Sequence, residues 1–223
     1  MQMKRRSIFQ LVLGAGLLAL FALFTWALTF VDVKPIGPNG SCVAFAGINR
    51  AVHELFGVHM VLYSITDWAG VAAIALALGF AVLGLVQWIG RRSIKKVDAS
   101  LLILGAFYIF VFGVYAFFEF RVINRRPVLI EGILEASYPS STTVLAMCVV
   151  PTAMVEFRRL IKRRKLCIAV NTLCGLFVAA MVIGRLLSGV HWFTDIIGGA
   201  LFSAGAALLY RGAAGLVSQN GKA

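Results

Sequence analysis

The sequence predicts an all-α, polytopic membrane protein whose six transmembrane helices form a single domain over residues 1–223. Hydrophobic residues make up 61% of the 223-residue chain and charged residues only 13%, and the mean hydropathy is +0.92. Such a chain is too apolar for an ordinary soluble domain. Its apolar residues form six runs, each near the roughly 20 residues with which a helix crosses a bilayer. The runs lack strand-like alternation, and no internal repeat divides the chain.

The six predicted spans follow one another closely along the chain. The first run follows Lys4, Arg5 and Arg6, as in a secretory signal, but it is too long for one and lacks a clear cleavage site, so it is predicted to stay as a span. The fourth is the shortest and carries Pro151, which predicts a kink or a partly buried start. The predicted spans are Ser7–Val31, Asp67–Ile89, Leu101–Phe120, Thr142–Phe157, Leu166–Leu187 and Trp192–Tyr210.

The basic residues predict the orientation of these helices, since Lys and Arg are enriched in cytoplasmic loops. With the amino terminus inside, most of the 21 basic residues fall on the cytoplasmic side. Both termini are therefore predicted to be cytoplasmic, in a bacterial plasma membrane. The net charge of +12 is interpreted as an orientation signal and a contact with anionic lipid, not as a nucleic-acid-binding surface. The inner residues are Lys4, Arg5, Arg6, Arg91, Arg92, Lys95, Lys96, Arg158, Arg159, Lys162, Arg163, Arg164, Lys165, Arg211 and Lys222.

The four cysteines predict neither a structural disulfide nor a zinc site. Three lie in or beside predicted spans, and only Cys42 lies in an outer loop. No pair has the spacing of metal ligands. The sequence predicts no metal and no other cofactor.

Three polar clusters are predicted to meet on the outer side of the membrane. One follows span three, one begins span four, and one joins spans five and six. An ionisable cluster at the membrane edge is a functional hypothesis by default. The clusters are Arg121, Arg125 and Arg126; Ser140, Ser141 and Thr142; and Arg185, His191 and Asp195.

The clusters together have the chemistry of a phosphate site that contains a histidine. His191 and Asp195 are four residues apart at a helix start, so they share one face. The carboxylate can bond one ring nitrogen and leave the other as a nucleophile or base. The planar fork of Arg185 suits phosphate oxygens. The hydroxyls of Ser140–Thr142 begin a helix, whose free N–H groups favour an anion.

These motifs resemble the three signatures of the type 2 phosphatidic acid phosphatase superfamily, which read K-x6-R-P, P-S-G-H and S-R-x5-H-x3-D. The third is intact in spacing, with Gly184 where the family usually has Ser, whereas the other two are partial. The resemblance covers roughly residues 60–210. The matching residues are Arg126–Pro127 for the first signature, Pro139–Ser140 for the second, and Arg185, His191 and Asp195 for the third.

The resemblance implies a helical bundle of the phosphatase and haloperoxidase type and a metal-independent phosphatase or phosphotransferase. Its substrate would be a membrane lipid phosphate at the extracytoplasmic surface, and no nucleic acid would take part. The histidine matching His191 would attack phosphorus to form a phosphohistidine, which the aspartate matching Asp195 orients. The arginines matching Arg126 and Arg185 would hold the phosphate oxygens.

Two departures from the signatures bear on the substrate. The first-signature lysine falls on Glu119, so its charge would have to come from Arg121 or Arg125. The general-acid histidine falls on Thr142, whose hydroxyl cannot protonate a leaving group near neutral pH. An alkoxide needs such an acid, which contributes about 10²–10⁴-fold, but a phosphate with a second pKa of about 6 does not. The sequence therefore predicts a lipid diphosphate such as undecaprenyl diphosphate.

Two alternatives stay open. A phosphatidate or phosphatidylglycerophosphate phosphatase would need a substitute acid. A non-catalytic homologue that binds or transports a phospholipid would need the arginines but not the pair of His191 and Asp195. Asp67, at the predicted start of span two, is interpreted as an interfacial helix cap. The candidate substitute acids are His53, His59, Glu131, Glu135 and Tyr138.

Overall fold

A computed structural model describes residues 2–220, and within them the chain is a bundle of seven α-helices. Two single 3₁₀ turns, Pro38–Gly40 and Ile94–Lys96, lie in the connections. Lys222, one of the basic residues used to predict the orientation, lies outside the described residues. The helices are α1 (Gln2–Ala27), α2 (Ala46–Phe56), α3 (Met60–Arg91), α4 (Ala99–Phe120), α5 (Ser141–Leu160), α6 (Arg164–Leu187) and α7 (Phe193–Asn220).

Five of the helices are long and apolar enough to cross a membrane, namely α1, α3, α4, α6 and α7. The prediction of an all-helical polytopic chain is confirmed, whereas its six-span layout stays a prediction. The predicted fourth span coincides with α5, which has 20 residues but buries Thr142, Thr152 and Glu156. Because α5 packs against α3, α6 and α7, protein covers much of the surface that lipid would otherwise cover. Its low hydropathy follows from that position.

The interpretation of Asp67 as a helix cap is wrong. Helix α3 begins at Met60, seven residues before Asp67, so Asp67 lies inside the helix and does not cap it. Its side chain instead forms an ion pair with Arg185 of α6. The segment before α3 contains the amphipathic helix α2, which was not predicted from the sequence. This helix packs against the start of α7.

Close packing of α1 on α7 sets one wall of the bundle. A Cβ atom on Gly14 would lie 2.8 Å from the carbonyl oxygen of Gly205, so glycine is needed where these backbones meet. Nearer the carboxyl end of α1, the ring of Phe21 packs on Phe118, Tyr138 and Phe202 with centroid distances of 5.4 to 6.1 Å. This aromatic cluster holds the segment before α5 against the bundle.

Tyr138 anchors that segment to α7 and to α1. Its hydroxyl lies 2.7 Å from Oγ1 of Thr25, and a Cβ atom on Gly198 would lie 2.2 Å from its ring. The absence of a side chain at Gly198 therefore lets Tyr138 lie flat on α7. Its neighbour in sequence, Ser137, is thereby brought to the start of that helix.

Candidate active site

Four helices end or begin at one end of the bundle, which we call the site end: α4 ends at Phe120, α5 begins at Ser141, α6 ends at Leu187 and α7 begins at Phe193. The 121–140 connection lies across this end. Its backbone is tied to the start of α7 by a hydrogen bond from the Nε1 of Trp192 to the Arg125 carbonyl, 2.7 Å. Another runs from Ser140 N to the Asp195 carbonyl, 3.1 Å.

His191 lies at the centre of the site end and is only 4% exposed. Its Nδ1 is 3.0 Å from Ser137 Oγ, and its Nε2 is 3.3 Å from Nη1 of Arg126. A guanidinium can only donate, so Nε2 must be the acceptor and Nδ1 must carry the proton. This tautomer leaves the lone pair of Nε2 beside a cation.

Asp195 is fully buried, and each of its carboxylate oxygens is bonded. Oδ1 accepts from Nδ2 of Asn124 at 3.1 Å. Oδ2 accepts from the Trp192 backbone N–H at 2.9 Å and from the hydroxyl of Ser137. Its distance to His191 Nδ1 is 3.8 Å, too long for a hydrogen bond. Ser137 therefore bridges the histidine and the aspartate that the sequence predicted to bond directly.

Arg126 lies between His191 and a carboxylate. Its side chain is 9% exposed, and its Nε is 2.9 Å from Oε2 of Glu135. The backbone N–H of Arg126 donates to the Glu135 carbonyl at 3.1 Å, which pairs the two residues across the 121–140 connection. The cation thus reaches the histidine with its charge already matched by an acid.

Arg185 is held by α3 and is 1% exposed. Its Nη2 is 3.0 Å from Oδ1 of Asp67, and its Nη1 donates to Thr66 Oγ1 at 3.1 Å. Its Cζ lies 4.7 Å from the ring centroid of Tyr63, and the Cζ of Arg126 lies 6.0 Å from the same centroid. Both predicted phosphate-binding arginines therefore converge on one aromatic ring.

The other two arginines of the first cluster lie elsewhere. Arg121 is the exposed residue after α4, and Arg125 donates from Nη1 to the Leu134 carbonyl at 2.9 Å. Neither lines the cavity beside His191. The structure brings Arg126 alone of this cluster to the histidine.

Of the predicted hydroxyl cluster at the start of α5, likewise only one residue lines the cavity. Ser140 is the N-cap of the helix, and its Oγ accepts from the backbone N–H of Thr143 at 3.5 Å. Ser141 lines the cavity, whereas Thr142 is buried within the bundle and does not. The residue in place of the general acid thus lies off the cavity wall.

A cavity of about 280 Å³ opens beside His191. Besides His191, Arg126, Ser137 and Ser141, its wall includes the carboxylates of Glu119 and Glu135. Glu119 stands where the first signature has lysine, so this wall carries a negative charge in place of a positive one.

Two of the five candidate substitute acids, Glu135 and Tyr138, line this cavity. Burial raises the pKa of the Tyr138 phenol, which makes it a poorer acid. His53 packs its ring on Trp192 at 5.4 Å, and burial lowers its pKa. His59 bonds the Phe56 carbonyl, and Glu131 is exposed in a turn. Glu135 is thus the candidate in position.

The surroundings keep His191 neutral. Burial disfavours the imidazolium, the charges of Arg126 and Arg185 act in the same direction, and Asp195 opposes them, so that the pKa of His191 falls to about 4. At neutral pH its Nε2 lone pair is therefore available to attack an electrophile. Within residues 2–220, no group of three His, Cys, Asp or Glu side chains could hold a metal ion.

The sequence did not indicate the role of Ser137, nor the pairing of Glu135 with Arg126. Ser137 lies outside the helices, and its spacing to His191 follows no helical rule; only its place beside Tyr138–Pro139, at the second signature, is a signal. Asn124 also escaped notice, because an isolated asparagine in a connection is common.

The site end thus combines a buried histidine, an aspartate linked to it through Ser137, and Arg126 beside its Nε2. The sequence model of the PAP2 superfamily matches residues 116–215. That stretch contains His191, Asp195, Arg126 and Arg185, and it belongs to the PAP2 superfamily. The resemblance inferred from the signatures is confirmed, and the family supports phosphatase activity in general.

A solved structure agrees with this assignment. It is described as the first transmembrane PAP2 type phosphatidylglycerolphosphate phosphatase from Bacillus subtilis. The similarity has a TM-score of 0.59 and 19% sequence identity over 92% of this chain and 96% of that one. At that identity the likeness shows the fold, which is that of a membrane PAP2 phosphatase. No curated protein matches the sequence.

Proposed function

We propose that the protein is a membrane lipid phosphatase or phosphotransferase in which His191 is the nucleophile. The observation that carries this proposal is the neutral, buried imidazole, with Nδ1 bonded to Ser137 and Nε2 facing Arg126. The Nε2 lone pair, which accepts from Arg126 in this structure, becomes available when that guanidinium turns to a phosphate. A site that merely binds phosphate would need the arginine alone.

In the proposed reaction, Nε2 of His191 attacks phosphorus and the bond to the leaving oxygen breaks, with its electron pair leaving on that oxygen. The product is a phosphohistidine that retains the Nδ1 proton. Asp195 stabilises the positive ring through Ser137, and Arg126 turns from Nε2 to the phosphate oxygens. Water, or an acceptor lipid, then attacks phosphorus and releases His191.

The proposed substrate is a lipid diphosphate such as undecaprenyl diphosphate. Thr142 is buried away from the cavity and cannot supply a proton in any case. A diphosphate needs no proton at the leaving group, because phosphate is a stable anion near neutral pH. The missing histidine is therefore least harmful for this substrate class.

Glu135 favours a second candidate function, hydrolysis of phosphatidate or phosphatidylglycerophosphate. Its carboxyl lies in the cavity and could protonate a leaving alcohol if it carried a proton. However, its Oε2 lies 2.9 Å from Nε of Arg126, so this carboxyl group is already engaged in an ion pair. The diphosphate remains the leading proposal for this reason.

The test is release of phosphate, without added metal, from undecaprenyl diphosphate, phosphatidate and phosphatidylglycerophosphate by the purified protein. We expect release from the diphosphate, loss of it in His191→Gln, and little change in Glu135→Gln. Preference for a monoester, abolished in Glu135→Gln, would instead establish the substitute acid. Activity on none of the three, with or without an acceptor lipid, would favour a non-catalytic lipid-binding or transport protein.

We place the site end on the extracytoplasmic side and both termini in the cytoplasm of a bacterial plasma membrane. The bias of basic residues toward the opposite end of the bundle supports this orientation. Cys42 offers the test, since it is exposed and follows α1 on the same side as the site end. A membrane-impermeant maleimide should label it in intact cells, and Cys42→Ser should remove that label. Labelling only after lysis would reverse the orientation.

A further inference from the structure

A second cavity lies between α5 and α6, far from His191. It has a volume of about 670 Å³ and is lined by side chains from the last turns of α5, the first turns of α6 and the turn between them. Because the 20 residues of α5 separate it from the site end, it lies roughly 30 Å away along the helix. We call this the basic end of the bundle. Its lining includes Met154, Arg158, Ile161, Arg164 and Ile168.

One arginine from each of the two helices lies at the mouth of this groove. Arg158 lies near the end of α5, and Arg164 is the first residue of α6. Both are exposed. Among the described residues, the ion pairs at this end join Arg91 to Asp98 and Arg159 to Glu156, and neither uses Arg158 or Arg164. The mouth therefore carries at least two positive charges without a carboxylate to balance them.

Other cations increase this excess charge. Arg158 and Arg6 both act on Arg211 of α7 as like charges. Lys162 and Arg163 lie in the connection between α5 and α6, and Lys165 is the second residue of α6. A bound anion would relieve this repulsion, which is the electrostatic condition for an anion site.

Apolar side chains lie one turn from each arginine, and Asn171 and Thr172 add polar groups further along α6. Met154 is four residues before Arg158 on α5, and Ile168 is four residues after Arg164 on α6, so each pair shares one helical face. Since α5 ends and α6 begins at the basic end, Met154 and Ile168 lie farther from that end than the arginines. A charged mouth above an apolar wall matches a phosphate above an acyl chain.

We propose that the groove binds one anionic glycerophospholipid from the leaflet at the basic end. Arg158 and Arg164 hold its phosphate, and Met154, Ile161 and Ile168 contact its first acyl chain. The site is separate from His191, and this proposal does not depend on the proposed phosphatase function. A soluble anion would leave the apolar wall exposed, so the leaflet is the source of the ligand.

The test is lipid retention by the full chain in native mass spectrometry, with phosphatidylglycerol and phosphatidylcholine compared at equal concentration. The key variant is Arg158→Gln with Arg164→Gln. Its matched control is Lys162→Gln with Lys165→Gln, which removes the same charge from exposed residues next to the arginines that do not line the groove.

We expect one phosphatidylglycerol to bind in preference to phosphatidylcholine. The double arginine variant should weaken its binding by about 25-fold, since each of the two arginines that hold the phosphate should contribute about fivefold. The lysine control should bind as the unmodified protein does. Equal losses in both variants, or no preference for phosphatidylglycerol, would overturn the proposal in favour of diffuse surface attraction.

A second variant covers the case in which the double arginine variant fails to fold. Ile168→Trp fills the apolar part of the groove and leaves every charge in place. Because Ile168 is 57% exposed, the larger side chain can be accommodated without disturbing the core. We expect loss of the bound lipid in this variant as well, whereas undiminished binding would contradict a groove-bound acyl chain.

Discussion

The site end and the basic end are opposite ends of the same helices, and their arginines differ in burial and in ion pairing. Arg126 and Arg185 are less than 10% exposed and each faces a carboxylate, Glu135 or Asp67. Arg158 and Arg164 are exposed and face none of the described carboxylates. Burying a cation is costly unless it is paired, so a buried arginine indicates a specific task. An exposed one needs only water and lipid phosphate.

The paired state of the buried arginines has a consequence for catalysis. Glu135 lines the cavity beside Arg126, whereas Asp67 and Arg185 do not line it. A phosphate group that enters the cavity must therefore compete with Glu135 for Arg126. This competition disfavours weak anions and favours a ligand with several negative oxygens, such as a terminal phosphate of a diphosphate.

The largest effect is expected at the nucleophile. His191→Gln keeps the size of the buried side chain but removes Nε2, so phosphate release should fall by about 10⁴-fold or more, as for other covalent nucleophiles. The rate is measured beside the unfolding temperature, which shows whether the variant is folded. A folded variant that keeps a tenth of the activity would rule out covalent catalysis at His191.

Next in size is the loss of the cation beside the nucleophile. Arg126→Gln should lower kcat by about 10²–10³-fold, the cost of removing one group that stabilises transition-state charge in a buried site. Arg125→Gln is its matched control, because this neighbour is exposed and does not line the cavity. Equal losses in the two variants would mean that the connection needs both arginines for its shape, not for catalysis.

Acid should destabilise the site end through His191. Its pKa is about 4 in the folded protein, below the ordinary value of 6.5, so between these values only the unfolded chain takes up a proton. The free energy of unfolding should therefore fall as the pH drops from 6.5 to 4, by about 3 kcal/mol in all. Unfolding at pH 7.5 and pH 4.5 measures it.

The control for this acid effect is His191→Gln, which should lack that part of the pH dependence. An unchanged pH dependence in the variant would place the acid-sensitive group elsewhere.

Removing the hydroxyl that bridges His191 and Asp195 should have a smaller effect on kcat. Ser137→Ala removes the hydroxyl that bonds both His191 Nδ1 and Asp195 Oδ2. Hydrogen bonds to charged groups contribute about 1.5–3 kcal/mol, so kcat should fall by about 10- to 100-fold. The pH dependence of kcat should also shift, because Asp195 would no longer reach the ring. Unchanged kinetics would mean that the two residues bond directly during turnover.

The sequence predicted the elements that depend on local pattern. Span lengths follow from apolar runs, and the grouping of Arg185, His191 and Asp195 follows from their spacing at a helix junction. The partners of Arg185 could not be predicted, because Asp67 and Thr66 lie 118 and 119 residues away in the chain. Such contacts depend on how α3 packs on α6.

Helix α2 and the role of Ser137 could not be predicted from the sequence either. Helix α2 has only 11 residues, and its polar residues resemble those of a loop. Its Asn49 bonds the backbone N–H and the hydroxyl of Thr194 at 3.1 and 3.0 Å, so it completes the start of α7 from another helix. Ser137 likewise acts through residues distant in sequence. Side chains whose partners come from other elements have no periodic signal.

The smallest effect on activity is expected at the basic end, from the one buried charge there. Glu156 is 2% exposed and accepts from Tyr210 at 2.6 Å and from Ser100 at 3.1 Å, with Arg159 3.6 Å away. As with the buried arginines of the site end, a buried charge indicates a specific structural or catalytic role. We expect this role to be the joining of α4, α5 and α7.

Tyr210→Phe tests that expectation. Loss of a hydrogen bond to a buried carboxylate should lower the free energy of unfolding by about 1.5–3 kcal/mol. Phosphate release at a temperature where the variant is folded should stay unchanged, since Glu156 lies about four turns of α5 from the cavity. If activity falls and stability does not, the two ends are coupled, and the contrast between a catalytic end and a structural end no longer holds.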